Sequence, residues 1–446
     1  MAKTNRRDFI KAGAGAFFIA SAGKAIGAGA PSNRVRLGIM GCRKECRGVW
    51  LMRAGVAMKD AEIAAVCETD RRGLDFAAEE VKEKTGKMPM KCTDMRKMLE
   101  DPTIDGILCE VPDHWHAPAA WMAMNAGKAI YVEKPCTMNG EECQILMDVQ
   151  KRTGQVFQMG SQRRSSPTYR RWIPALPKLL GEPKFARCWY TSRRGAGPKR
   201  GFVQTPDWLD WESWQGPTPH QGFEEGLVHY GWHWTRKWGT GEMGNNSPHF
   251  LDIARWALGV DFATETVSLG AKLWHGDKGW EWPDTQHTAY KFADGKTISM
   301  ECYCNANFLN PQEIGTGAVV YYENGAVLFH PKDAIYIYDN RGRKIAEEAD
   351  PSCDEWIQST TGASYLDTNH LTNFVEAIRR KDPSHCFSPV VTGCASTLMA
   401  HTGNMAADTG EKILVDAKTG KLLNKSAAVR KLWSREYEKG WEPKKA

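Results

Sequence analysis

Val35-Arg36-Leu37-Gly38-Ile39-Met40-Gly41 is a short apolar run ending in glycine, and Val49-Trp50-Leu51-Met52 follows in a helical segment. Glu62-Ile63-Ala64-Ala65-Val66-Cys67-Glu68 is then a second strand-like run, closed by a carboxylate 27 residues beyond Gly41. Strand, turn, helix, strand and acid at this spacing form the βαβ pattern in which the acid holds the hydroxyls of an adenosine ribose. The pattern repeats. Ile104 to Pro112 reads as a third strand, Pro118 to Ala126 as a helix closed by Gly127, and Ala129-Ile130-Tyr131-Val132-Glu133 as a fourth strand.

The turn after the first strand departs from G-x-G-x-x-G, in which glycines let the backbone approach a pyrophosphate. Here it reads Gly41-Cys42-Arg43-Lys44-Glu45-Cys46-Arg47-Gly48. Only the first glycine keeps register. Arg43 and Lys44 can meet phosphate by charge instead, and Gly48 can serve a longer loop.

The chain has 446 residues, 42% hydrophobic and 25% charged, enough for a full core in two domains rather than a disordered tail. Eighteen tryptophans are an unusually high share. They suit either sugar-stacking faces or a Trp-rich core. Of the net charge of +6, the first thirty residues carry +4, so the remaining chain lacks the basic footprint of a nucleic-acid binder. Thirteen cysteines without a CxxC pair predict free, mostly buried thiols and no zinc site.

Asn5-Arg6-Arg7-Asp8-Phe9-Ile10-Lys11, followed by a weakly hydrophobic Ala/Gly/Phe stretch, looks like a twin-arginine signal over residues 1–30. It predicts an exported, periplasmic or extracellular protein that leaves the cell folded, with its cofactor installed. No other apolar run reaches the roughly 18 residues that span a bilayer, so no stable membrane insertion is expected.

Three further strings carry a resemblance: Asp113-His114-Trp115-His116-Ala117-Pro118, Glu133-Lys134-Pro135, and Gly239 to Trp256, which contains Gly241, Gly244, Asn245, His249 and Asp252. Together they resemble the glucose-fructose oxidoreductase and inositol dehydrogenase (Gfo/Idh/MocA) family, in its twin-arginine-exported branch, which is related to NAD-dependent glycosidases. The resemblance implies an α/β protein: a Rossmann doubly wound parallel sheet over residues 33–155, then a substrate and oligomerisation domain over 156–446 with a large, mostly antiparallel open sheet. The residues support the second domain independently. Lys184 to Ser192, Thr266 to Trp274, Thr285 to Ala293 and Lys296 to Asn305 are β-rich, and Asn324-Gly325 is a hairpin signal within Ala318 to Phe329.

By the resemblance, Lys134 meets the substrate hydroxyl and the nicotinamide ribose, and His249 is the acid/base; Tyr230 or His233 is expected as an additional proton carrier. The cofactor site comprises Gly41, Cys42, Arg43, Glu68, Pro112, His114, His116, Glu133, Lys134, Gln162 and Arg163. Glu68, an acid at the ribose position, favours NAD over NADP. His114 and His116 are expected in a loop leading into the Pro118 helix, either lining the cleft or capping that helix. His229-Tyr230-Gly231-Trp232-His233-Trp234 suits a sugar or an aromatic structural insert. Sugar dehydrogenases of the family usually have Asp four residues before the acid/base His, whereas this chain has Asn245, which cannot accept a proton.

The function these features predict is NAD-dependent hydride transfer on a carbohydrate with tightly bound cofactor, extending to redox-neutral glycoside hydrolysis through a 3-keto sugar. A sugar-sugar oxidoreductase and a non-catalytic sugar- or dinucleotide-binding protein are the alternatives, and a homo-oligomer is expected by analogy.

Overall fold

The computed structural model describes residues 34–199, 201–276, 278–304, 314–349 and 364–443. The twin-arginine segment lies outside them.

The first sheet holds β1 (Val35–Met40), β2 (Ala61–Cys67), β3 (Met90–Cys92), β4 (Gly106–Cys109), β5 (Ala129–Val132) and β6 (Phe157–Met159) in the order β3-β2-β1-β4-β5-β6. Every pairing is parallel. This is the doubly wound order, whose crevice lies beyond the carboxyl ends of β1 and β4, where the strand order reverses. Helices α1 (Arg47–Ala57), α2 (Arg71–Thr85), α3 (Asp113–Asn125) and α4 (Gly140–Thr153) make the crossovers. Asp70 caps α2 and Asn139 caps α4, each accepting from a first-turn backbone N–H, and both helices end on a left-handed glycine.

Three features differ from the sequence reading. Met90-Lys91-Cys92 forms an edge strand too short to carry a period, so the run containing Gly106–Cys109 is the fourth strand. The sheet extends through Met159, past the expected boundary at residue 155. Helix α3 begins at Asp113, five residues before Pro118, so His114, Trp115 and His116 occupy its first turns instead of a loop. A proline inside a helix leaves the carbonyl four residues earlier without its donor. Here that carbonyl belongs to His114, and the Arg435 guanidinium donates to it at 2.6 Å.

The second sheet is nine-stranded. Its members are β7 (Pro183–Thr191), β10 (Glu265–Ala271), β11 (Thr285–Lys291), β12 (Thr297–Tyr303), β13 (Thr316–Tyr322), β14 (Gly325–His330), β15 (Ala334–Asp339), β16 (Lys344–Ala349) and β17 (Ile413–Leu414). Their order is β16-β15-β14-β13-β7-β12-β11-β10-β17, antiparallel except for the β7–β12 pair. A short ribbon of β8 (Phe202–Val203) and β9 (Phe223–Glu224) stands apart. Helix α5 (Gly241–Leu258) packs on this sheet. Helices α6 (Tyr365–Arg380) and α7 (Val390–Thr409) return to the first domain, against α1 and α4 respectively. The twelve described cysteines are free and mostly buried.

Within α5, Asp252 is 1% exposed and binds the Arg164 guanidinium through both oxygens, at 2.7 and 2.9 Å, while Ser396 donates to it at 2.6 Å. Burial alone would raise its pKa, but Arg164 and Arg255 hold the carboxyl below its ordinary value. Asp252 is thus a structural post between α5 and the segment after β6.

Candidate active site

A cleft opens at the carboxyl ends of β1, β2, β4 and β5. One end is walled by Gly41, Arg43, Glu68, Thr69 and Thr93, the other by His116, Lys134, Tyr230, His233 and Asn245. Gly41 has φ +83°, and a Cβ there would strike the Glu110 carbonyl. A Cβ on Gly48 would strike the Gly41 carbonyl. These two glycines let the loop lie directly against the start of α1, so Gly48 supplies the close loop-to-helix approach that the altered fingerprint left open.

Glu68, expected at the ribose, lines the cleft, and its carboxylate is also engaged by the loop. Its Oε2 accepts from the Cys42 and Arg43 amides at 2.9 and 3.1 Å, and its Oε1 from the Asp70 amide at 3.1 Å and the Thr69 hydroxyl at 3.4 Å. The carboxylate therefore shapes the loop as well as facing the cleft. Cys42 is fully buried behind that loop and contributes its amide rather than its thiol. Pro112 and Glu133 line the cleft as expected, and Glu133 binds the Arg47 guanidinium at 3.2 Å.

Lys134 follows β5. Its ammonium donates to the Asn245 backbone carbonyl at 2.5 Å and to the Asn245 side-chain oxygen at 3.2 Å. Burial lowers its pKa, opposed by Glu133 and Asp113. Asn245, in the Asp position of the motif, thus anchors the lysine through oxygens that cannot take its proton.

Two histidines donate from Nδ1 to backbone carbonyls, which only accept. His116 Nδ1 donates to the Pro135 carbonyl at 2.6 Å, and His233 Nδ1 to the Tyr230 carbonyl at 2.8 Å. The neutral His233 ring keeps a lone pair on Nε2. His116 Nε2 and Asn245 Nδ2 are buried cleft-wall atoms with no partner among the described residues. His233 stacks on Trp232 at 3.5 Å, and burial pushes its pKa down to about 3, so the ring is neutral. Tyr230 lies 4.3 Å from the His233 ring and is half exposed at the cleft mouth.

Other expected site residues sit elsewhere. His114 is not a cleft residue: its ring is fully buried between Trp214 and Trp238 and hydrogen-bonded to the Trp214 carbonyl at 2.9 Å. Entry into the helix at Asp113 turns it into the core. His249, one turn beyond Asn245, is partly exposed and is absent from the cleft lining, and burial together with the nearby Lys134 and Arg163 charges depresses its pKa. Gln162 is buried with its side-chain oxygen lacking a partner among the described residues, and Arg163 donates to the Pro331 carbonyl at 3.0 Å over the Phe250 ring. Sequence reasoning missed Glu110, Arg47 and Asp113. Asp113 lines the cleft and accepts from the Thr240 amide and hydroxyl. No periodic signal marks these three.

The Trp-rich segment roofs the cleft. At the Glu68 end it is held by backbone bonds from Arg71 to the Trp208 carbonyl and from Asp210 to the Thr69 carbonyl, both 2.9 Å. His229 adds a bond to Asp70 at 3.0 Å, and the Arg72 guanidinium lies 3.8 Å over the Trp208 ring. At the α3 end the Trp115 indole donates to the Trp214 carbonyl at 2.9 Å, and the His114 amide to the Trp238 carbonyl at 3.3 Å. Trp214, Trp232, His229 and His233 face the cleft from this roof.

Residues 35–161 match the family model described as "Oxidoreductase family, NAD-binding Rossmann fold". The amino-terminal domain matches the model of the Gfo/Idh/MocA oxidoreductase family. This chain is 31% identical over 123 residues to "Glycosyl hydrolase family 109 protein 1" of Shewanella sp. (strain ANA-3), covering 27% of this chain and 26% of that protein. A "Levoglucosan dehydrogenase" of Pseudarthrobacter phenanthrenivorans is 26% identical over 252 residues, covering 51% of this chain and 58% of that one. The matches thus span from a quarter to less than two thirds of these relatives. The whole fold is similar to a solved levoglucosan dehydrogenase in complex with NADH and levoglucosan, with TM-score 0.64, 18% identity, and 86% of this chain and 100% of that chain covered. It is also similar to the aldose-aldose oxidoreductase of Caulobacter crescentus, with TM-score 0.64, 16% identity and the same coverage.

The cleft has room and chemistry for a dinucleotide: Glu68 stands at one end, Gly41 and Gly48 bring backbone close to the start of α1, and buried nitrogen atoms without a partner among the described residues line the opposite end.

Proposed function

We propose that this protein is an NAD-dependent enzyme acting by hydride transfer on a sugar or glycoside without releasing its cofactor, and that its net reaction is glycoside hydrolysis. The observation that carries the reading is the Trp-rich roof, anchored at both ends of a cleft that holds Glu68 at one end and Lys134 at the other. The printed names of the relatives, a family 109 glycosyl hydrolase and a levoglucosan dehydrogenase, support carbohydrate as the substrate class. The twin-arginine reading of residues 1–30 supports export with the cofactor already installed, where a retained cofactor serves repeated turnovers.

Bound NAD supplies a group that takes hydride from a sugar carbon and returns it. Glu68 and the loop over Gly41 hold its adenosine half, and His116, Glu133 and Lys134 face its other half. Lys134 donates from Nζ to the reacting hydroxyl and stabilises negative charge on that oxygen. With Asn245 unable to take a proton and His249 absent from the cleft lining, the neutral His233 Nε2, which lines the cleft, is the acceptor, and Tyr230 relays between it and solvent. A ring ketone acidifies the neighbouring C–H, and the same acceptor serves its removal. Loss of the aglycone and addition of water then complete hydrolysis. Two basic side chains of the neighbouring loop are paired, Arg194 with Glu242 and Lys199 with Glu225.

Incubation of the full chain with aryl and natural glycosides, without added NAD, tests this reading. Free aglycone and reducing sugar in equal amounts are expected. Sugar lactone and alditol formed only with a second sugar present would replace hydrolysis by sugar-sugar transfer. Turnover of neither kind would contradict enzymatic function. The roof makes a separate prediction: Asp70→Ala, which releases His229 and Arg72, speeds dinucleotide loss during dialysis at least about tenfold, since a charge-assisted hydrogen bond contributes about 1.5–3 kcal/mol.

A further inference from the structure

Glu110 follows β4 and lies on the cleft wall between Gly41, Cys46 and Arg47. Its Oε2 accepts from the Gly48 amide at 3.1 Å. Gly48 is in the first turn of α1, whose amides are the donors a phosphate would use. A side-chain carboxyl of this chain therefore already holds a donor at the phosphate position. An ionised carboxylate there would repel a pyrophosphate, whereas a neutral acid accepts from Gly48 through one oxygen and donates its own O–H outward.

We propose that Glu110 is a phosphate-contacting residue of the cofactor site, protonated whenever the dinucleotide is bound, so that binding takes up a proton when Glu110 starts ionised. The proposal rests on the reading of the cleft as a dinucleotide site. The groups facing Glu110 are Glu133 and Lys134 after β5, Arg47 and Cys46 at the start of α1, and Cys109 on its own strand. Arg47 does not neutralise it, because both Glu133 and Asp367 bind that guanidinium. Burial, with the Glu133 charge added, pushes the carboxyl up to about 8. Glu110 is then mostly neutral at pH 7 and ionises as the pH rises through about 8.

Equilibrium dialysis of the purified full chain against NAD from pH 6 to 9.5 tests this. The expected dissociation constant is flat below about pH 8 and rises toward tenfold per pH unit above it, the slope for one linked proton. Glu110→Gln is the same size and still accepts from Gly48, and it is expected to bind with no slope in this range. Adenosine, which lacks the phosphates, shows no slope with the wild type. A flat wild-type curve, or a Glu110→Gln curve that keeps the slope through Lys134 or another group, overturns the proposal. Absence of NAD binding at every pH by a chain that also releases no dinucleotide on denaturation overturns the dinucleotide reading and this inference with it.

Discussion

Lys134→Met is expected to lower turnover on any sugar that the wild type converts by about 10²- to 10⁴-fold, the usual contribution of a positioned proton-transfer group. Methionine keeps the length of the side chain and removes the ammonium that donates to both Asn245 oxygens. The dinucleotide content of the variant should stay within a factor of about two of wild type, because the roof anchors and Glu68 are untouched. Comparing kcat with the cofactor content per chain separates the two effects. Unchanged turnover would remove Lys134 from the chemistry. Loss of cofactor in step with activity would make it a binding residue only.

The largest expected effect on stability comes from Asp252→Ala. The carboxylate lies between two guanidinium groups, Arg164 at 2.7 Å and Arg255 at 3.8 Å, in a site where all three side chains are nearly excluded from solvent. Removing the shared acid leaves two buried positive charges facing each other. Such a deletion costs about 3–5 kcal/mol. Urea unfolding followed by tryptophan fluorescence should place the variant's midpoint well below that of wild type. A change under about 1 kcal/mol would mean that solvent reaches Arg164 and Arg255, and that α5 does not depend on this post.

The first domain was legible in the sequence because its signals are local. An apolar run ending in glycine and a second run ending in an acid 27 residues later set β1, α1 and β2 without any tertiary information. The alternation in Thr285–Lys291 and Thr297–Tyr303, and the Asn324-Gly325 turn between β13 and β14, did the same for the second sheet. Met90–Cys92 carries no signal of its own, being a three-residue edge that pairs only with β2. The start of α3 was hidden because a proline within a helix is tolerated only when another group meets the freed carbonyl, and that group, Arg435, lies 321 residues away.

The site divides in the same way. Lys134 before a proline, Glu68 at a strand end and Asn245 in the position of an acid are all visible as residue types at a spacing. The roof is not visible, since its anchors are the backbone carbonyls of Trp208, Thr69, Trp214 and Trp238, and any residue at those positions would present the same oxygen. The aromatic segment could therefore be read as either sugar-binding or structural. In the structure it is both a packed tryptophan cluster and the outer wall of the cleft. His114 and His116 show how little sequence adjacency decides: two positions apart on one helix, one faces Trp214 and Trp238 in the core and the other faces the cleft.

The central claim is a retained dinucleotide beneath the roof. Absorbance and mass spectrometry on the purified, extensively dialysed full chain after denaturation test it most directly. The account predicts close to one NAD released per chain. A clean absence of any dinucleotide, together with no binding when NAD or NADP is titrated into the folded protein, would contradict it.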